Sequence, residues 1–284
     1  MANGWTGGQY SVYRVVLAAA LATQFGVGGW ILGVPLALGV ADRLAAVVCS
    51  AYLAAVAMTA NPPIAHLIAA ALLALHFATP GRPYGSWGAR KRADPGSGWW
   101  LPARVQLAAR GLLALTVVLV VWGAVGSPGA LWLPLALLAF DPAWVPAKRE
   151  GAPVRLFYDG ECGLCHGAVR FLLAEDRDGQ GFRFAPLASE SFARAAPAEL
   201  RATLPDSLVL ALQDGTLRLR SDAVLESAER LGGLWRIGAR VLRSLPRAWL
   251  DRVYDAIARH RKRFVRRPDD ACPVVSPELR ARFD

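Results

Sequence analysis

Hydrophobic and polar positions divide this chain into two regimes. Up to residue 140 the apolar residues run in long blocks: Val12–Val40, Leu44–Ala60, Ile64–Ala78, Val105–Val125 and Ala130–Phe140. A helix needs about twenty apolar residues to cross the hydrocarbon core of a bilayer. Val105–Val125 meets that length, with Arg110 near enough to one end to snorkel to the interface. Val12–Val40 exceeds it and is interrupted by Gly26, Gly28, Gly29 and Pro35. That predicts either one tilted span with an interfacial piece or two short spans. Ile64–Ala78 and Ala130–Phe140 are short alone and predict tilted, re-entrant or interfacial segments. The expected total is about four or five spans.

Beyond a Pro-containing linker, Asp141–Pro153, the period changes. Val154–Tyr158 is a short apolar run ended by the turn pair Asp159-Gly160. Leu164, Ala168, Val169, Leu172 and Leu173 then recur at helical spacing until the DRDGQG stretch stops them. Phe182–Leu187 alternates as a strand does, and Glu190–Leu204 predicts a shorter helix containing Pro197. Ser207–Leu212 and Thr216–Arg220 flank Gln213-Asp214-Gly215 and read as a hairpin. Ser221 stands where an N-cap belongs, before a helix that Gly232-Gly233 ends. The predicted order is β-α-β-α-β-β-α, the order of thioredoxin-like domains. Leu234–Arg267 continues as one or two amphipathic basic helices broken near Pro246, followed by a tail.

Charge follows the same division. Residues 1–140 hold eight Lys or Arg and two Asp or Glu, and the other 24 basic and 20 acidic side chains lie beyond. The formal charge of +10 suggests nucleic acid, but its distribution argues against that partner. In the first half the positives sit mainly between apolar blocks, at Arg82, Arg90, Lys91, Arg92 and Arg104, where topology places them on the cytoplasmic side. With two spans following that loop, the soluble domain is expected to face the cytoplasm; if Ala130–Phe140 does not cross, it lies on the other side. The run Arg259–Arg267 reads as a solvated or membrane-facing helix surface. The start of the chain has no basic stretch before the first apolar block, so that block is expected to stay as an anchor.

Four cysteines are too few and too scattered for a disulfide scaffold. Cys49 lies alone in an apolar block and reads as a small core residue, and Cys272 lies in the tail. Cys162 and Cys165 form the one close pair. A redox dithiol needs two sulfurs within bonding reach, one of them readily deprotonated. Cys-x-x-Cys opening a helix puts both on one face and sets the first against the helix amino terminus, which favours negative charge. On that reading Cys162 attacks and Cys165 resolves. The spacing alone leaves two rivals open. Cys162-Gly-Leu-Cys165-His166 also matches the attachment motif of c-type haem, and Cys162, Cys165, Cys272 and a His could bind zinc. The strand-then-helix context favours the dithiol. Asp159 and Glu161 flank the nucleophile and read first as turn and helix-start residues, but their charges disfavour its thiolate, which predicts a reducing couple. His166 lies on the same helical face as Cys162, as a supporting group or as a solvated helix residue.

The stretch YDGECGLCHGAVRFLLAEDRDGQGFRFAPLAS resembles the DCC family of thiol–disulfide oxidoreductases, named for an Asp-x-x-Cys-x-x-Cys motif. Asp159, Cys162 and Cys165 match that motif, and the likeness runs through Ser221 and Asp222 and the VYDAIARHRKRF region to Cys272. The resemblance implies a thioredoxin-like fold and a redox role for the two cysteines. Thioredoxins carry a proline just before the third strand, where this chain has Ser207, with Pro205 two residues earlier.

The expected fold is multi-domain: an all-α transmembrane region followed by an α/β thioredoxin-like domain with a C-terminal helical extension. Its expected parts are 1–141 in the membrane, a linker at 142–153, a redox core at 154–233, and a basic helical extension and tail at 234–284. The expected function is that of a multi-pass, membrane-anchored thiol–disulfide oxidoreductase, reductase-like in direction. Catalysis falls to Cys162, Cys165 and Asp159, with Glu161, His166 and Cys272 in support. Its partners are the lipid bilayer and a protein or small-molecule disulfide, and it needs no cofactor beyond the Cys162–Cys165 disulfide. The alternative is a non-catalytic membrane protein whose Cys-x-x-Cys is structural or binds a metal or haem.

Overall fold

The computed structural model describes residues 3–60, 64–96, 98–149, 151–160, 162–203, 208–264 and 276–284. They group into two compact units, Met1–Lys91 with Gly98–Pro142, and Arg92–Ser97 with Ala143–Asp284.

The first unit is helical. Its first helix, α1 (Gly7–Leu38), starts where Thr6 Oγ1 accepts the Gln9 N–H at 3.3 Å. Gly26 breaks it, at φ 57° and ψ −133°, a conformation that glycine reaches without a Cβ clash. The long first block is therefore two helical pieces about a kink. There follow α2 (Asp42–Ala57), α3 (Ile64–Phe77), α4 (Ala103–Val121) and α5 (Trp132–Ala139). Helices α1 and α4 are long and apolar enough to cross a membrane, whereas α2, α3 and α5 are shorter apolar helices. Trp5, Tyr10, Tyr13 and Trp99 are buried together, and the Tyr10 hydroxyl meets His76 Nδ1 at 2.7 Å. Arg110 does more than snorkel. Its Nε donates to the Ala139 carbonyl at 3.0 Å, and its Nη2 pairs with Asp141 at 3.3 Å.

The second unit contains β1 (Val154–Tyr158), α6 (Gly163–Glu175), β2 (Phe182–Pro186), α7 (Glu190–Ala195), α8 (Ala198–Thr203), β3 (Val209–Ala211) and β4 (Leu217–Leu219). Four helices follow, α9 (Arg220–Leu231), α10 (Gly233–Arg243), α11 (Arg247–Phe264) and α12 (Pro277–Arg280). The single helix expected over Glu190–Leu204 is split, because Ala196 before Pro197 takes an extended conformation. Ser221 does not cap α9, which begins one residue earlier. Its hydroxyl instead donates to Asp251 at 2.5 Å and ties α9 to α11.

The sheet order is β2-β1-β3-β4, with β1 parallel to β2 and antiparallel to β3, and β3 antiparallel to β4. One face carries Leu156, Tyr158, Phe182, Phe184 and Leu210 onto Val169 and Leu172 of α6 and Ala223 of α9. The other carries Phe157, Ala185 and Val209 onto Phe192 of α7. The stretch read as a linker is packed over much of its length. The Val145 carbonyl accepts the Gly233 N–H at 2.8 Å, and Lys148 Nζ meets Glu226 at 3.1 Å. Gly232, at φ 75°, lets this segment approach, since a Cβ there would lie 2.7 Å from the Ala147 nitrogen.

The last residues close the free edge of β2. Phe184 donates to the Arg282 carbonyl at 2.8 Å and accepts from Asp284 at 3.0 Å. Arg282 reaches under the sheet to pair with Asp176 at 2.6 Å, both side chains buried. Burial pushes the Asp176 carboxyl up, and the Arg282 charge and the Gly181 N–H pull it back only in part. Removing one partner of such a pair strands the other. Arg282→Ala should therefore destabilise this unit by about 3 kcal/mol, because Arg149 at 3.8 Å and the Gly181 N–H still serve Asp176. Denaturant unfolding of the full chain followed by Trp235 environment and far-UV signal checks it.

Candidate redox site

The dithiol sits where β1 hands over to α6. The Asp159 carbonyl accepts the Cys162 N–H at 3.2 Å, closing a tight turn at the end of the central strand. Cys162 is the N-cap of α6, extended at φ −99° and ψ 113°, and its carbonyl accepts the His166 N–H at 3.0 Å. No side-chain hydrogen bond caps that end. The Cys162 side chain therefore lies at the positive end of the helix dipole, and Cys165 follows in the first turn. Both are buried, at 2% and 3% exposure, in the cluster formed by Tyr158, Val169 and Leu172.

His166 is not the solvated residue that helical spacing allows. It is buried, and its Nε2 donates to the Gly160 carbonyl at 2.8 Å. A carbonyl only accepts, so this contact places a proton on Nε2. The ring also meets Tyr158 edge-on at 5.7 Å. His166 thereby pins the turn that presents Cys162. Asp159 contributes its backbone carbonyl to that turn. Glu161 and Cys272, both expected in support, lie outside the described residues, as do Pro205 and Ser207 before β3.

A feature that motif reading missed lies beside the pair. Helices α6, α9, α10 and α11 enclose an open cavity of about 520 Å³, lined almost wholly by apolar side chains. Cys165 forms part of its wall, with Phe171, Leu225, Leu250 and Tyr254. The Tyr254 hydroxyl accepts the Leu208 N–H at 3.1 Å, which joins α11 to the residue before β3. Three acidic residues of α9 orient α10 beside this cavity. Arg243 donates to Asp222 at 2.9 Å, to Glu226 at 3.3 Å and to Glu229. These carboxylates lie on a helix whose amphipathic period is plain in the sequence, but the cation that collects them is 14 to 21 residues away and no motif marks it. Among the described residues, no three His, Cys, Asp or Glu are grouped to hold a metal ion.

A family profile described as DCC1-like thiol-disulfide oxidoreductase matches residues 156–267, from within β1 through the dithiol and α11. The uncharacterized protein YuxK of Bacillus subtilis (strain 168) is 32% identical over 132 residues, covering 45% of this chain and 91% of YuxK. No solved structure matches the chain. Through the unit that carries Cys162 and Cys165, the chain belongs to the DCC1-like thiol-disulfide oxidoreductase family.

Proposed function

We propose that this protein is a membrane-anchored thiol–disulfide oxidoreductase working through Cys162 and Cys165 in the reducing direction. The observation that carries the reading is the position of Cys162 as N-cap of α6, directly after the central strand. The strand order β2-β1-β3-β4, with its parallel and antiparallel pairings, supports a thioredoxin-like fold for this unit. Family membership supports the redox chemistry. Two span-length apolar helices support anchoring, with the shorter apolar helices as further passes and the redox unit on the cytoplasmic side.

The chemistry is a balanced two-electron exchange. The Cys162 thiolate, formed as its proton leaves to solvent, attacks one sulfur of a substrate disulfide. That S–S bond breaks, its other sulfur departs and takes a proton, and a mixed disulfide remains on Cys162. Cys165, deprotonated in turn, attacks the Cys162 sulfur and releases the second substrate sulfur as a thiol. The substrate gains two electrons and two protons, and the Cys162–Cys165 pair is left oxidised. A dithiol donor restores it by the reverse exchange. The reducing direction rests on the acidic residues that flank Cys162 in the sequence, Asp159 and Glu161.

Three measurements bear on this. Cys165→Ser should accumulate a mixed disulfide with a substrate disulfide that Cys162→Ser does not form. Trapping on Cys165 in the Cys162→Ser protein would reverse the two roles, and no disulfide in either would favour a structural or metal-binding pair. Equilibration with glutathione should give a potential of about −230 mV or below, towards the thioredoxin end of the range. A value near −120 mV, that of a strong periplasmic oxidant, would overturn the reductase assignment. Alkaline carbonate extraction should leave the full chain in the membrane pellet, whereas release into the supernatant would refute integral anchoring.

A further inference from the structure

The second unit leaves a row of large apolar side chains uncovered. Ile237, Val241, Leu245, Trp249, Val253 and Ile257 recur every fourth residue through α10, the Ser244–Pro246 break and α11. All six are between 38% and 64% exposed. Four-residue spacing keeps successive side chains on one side of each helix. Leu164, Val224 and Leu242 add to the same exposed apolar surface, and with Trp249, Val253 and Ile257 they line the cavity that reaches Cys165. Apolar surface on this scale marks a contact with something.

Charge indicates the partner. Residues 233–264 hold nine Arg or Lys against two Asp. Both aspartates are engaged, Asp251 with Ser221 and Arg247, and Asp255 with Arg220 at 3.5 Å. Arg240, Arg247 and Arg252 are exposed and border the apolar row. An amphipathic, arginine-bordered helix with an exposed tryptophan has the composition of an interfacial helix, which buries its apolar side at the headgroup boundary and draws anionic lipid with its cations. We infer that α10 and α11 dock on an anionic bilayer surface, with the Ile237–Ile257 row entering the headgroup region and the Cys165 cavity opening towards the lipid. This rests on the membrane-anchored reading given above. It adds that α10 and α11 themselves contact the membrane, so that the cavity walled by the resolving thiol Cys165 faces the lipid.

The test uses the full chain in nanodiscs of phosphatidylcholine alone and of phosphatidylcholine with phosphatidylglycerol, read by amide hydrogen exchange. Anchoring is read separately, as stable incorporation into both. Docking predicts that amides of α10 and α11 exchange on the order of tenfold more slowly in the anionic discs, and that raised salt removes the difference. Arg240→Glu with Arg247→Glu and Arg252→Glu should abolish it, as should Val241→Asn with Ile257→Asn. Unchanged exchange in β1 and α6 would show that these exposed substitutions leave the fold intact. Equal exchange in the two lipids, with incorporation intact, overturns docking and spares anchoring. Protection that follows protein concentration instead of lipid charge also overturns it, and assigns the row to a second copy of this chain.

Discussion

Burial of β1 on both faces and along both edges is the constraint on which the second unit depends. The strand pairs in parallel with β2 and antiparallel with β3, and its side chains feed two separate clusters. Parallel pairing requires a crossover, and α6 supplies it, so the chain must leave β1 at one end and turn at once into that helix. The Asp159–Cys162 turn is the only connection between them, and it fixes where the two sulfurs stand. A one-residue slip in β1 would exchange Leu156 and Phe157 between faces and move the turn with them. The geometry of the thiols is thus inherited from the sheet.

Ionic groups do a different job. Asp222, Glu226 and Glu229 on α9 gather Arg243 and Lys148, while Glu226 also meets Arg230. Partly buried pairs of this kind contribute little net stability, but they restrict how the helices can be placed. Here they hold α10 against α9 beside the cavity, whose wall is almost wholly apolar.

Much of this was legible along the chain. Val154–Tyr158, the helix after Cys162 and the hairpin at Asp214-Gly215 follow from period and turn chemistry, which act within a few residues. The pieces that were not legible depend on distant partners. Ser221 has the right neighbours for an N-cap, yet Asp251 takes its hydroxyl from α11. His166 has the spacing of a solvated residue, yet Gly160 offers it a carbonyl across the turn. Arg110 could have snorkelled, but Asp141 lies within reach. The cavity beside Cys165 has no local signature, because four helices build it together.

Asp176 and Arg282, the buried pair beneath β2, stand 106 residues apart. During synthesis the carboxylate leaves the ribosome with α6, long before its guanidinium exists. Through that interval β1, β2 and the dithiol can assemble, but the edge of β2 is open and a buried negative charge has Arg149 as its nearest described cation. The unit therefore gains its full stability only when the segment around Arg282 arrives. Until then, the two cysteines are held by a sheet whose β2 edge is open.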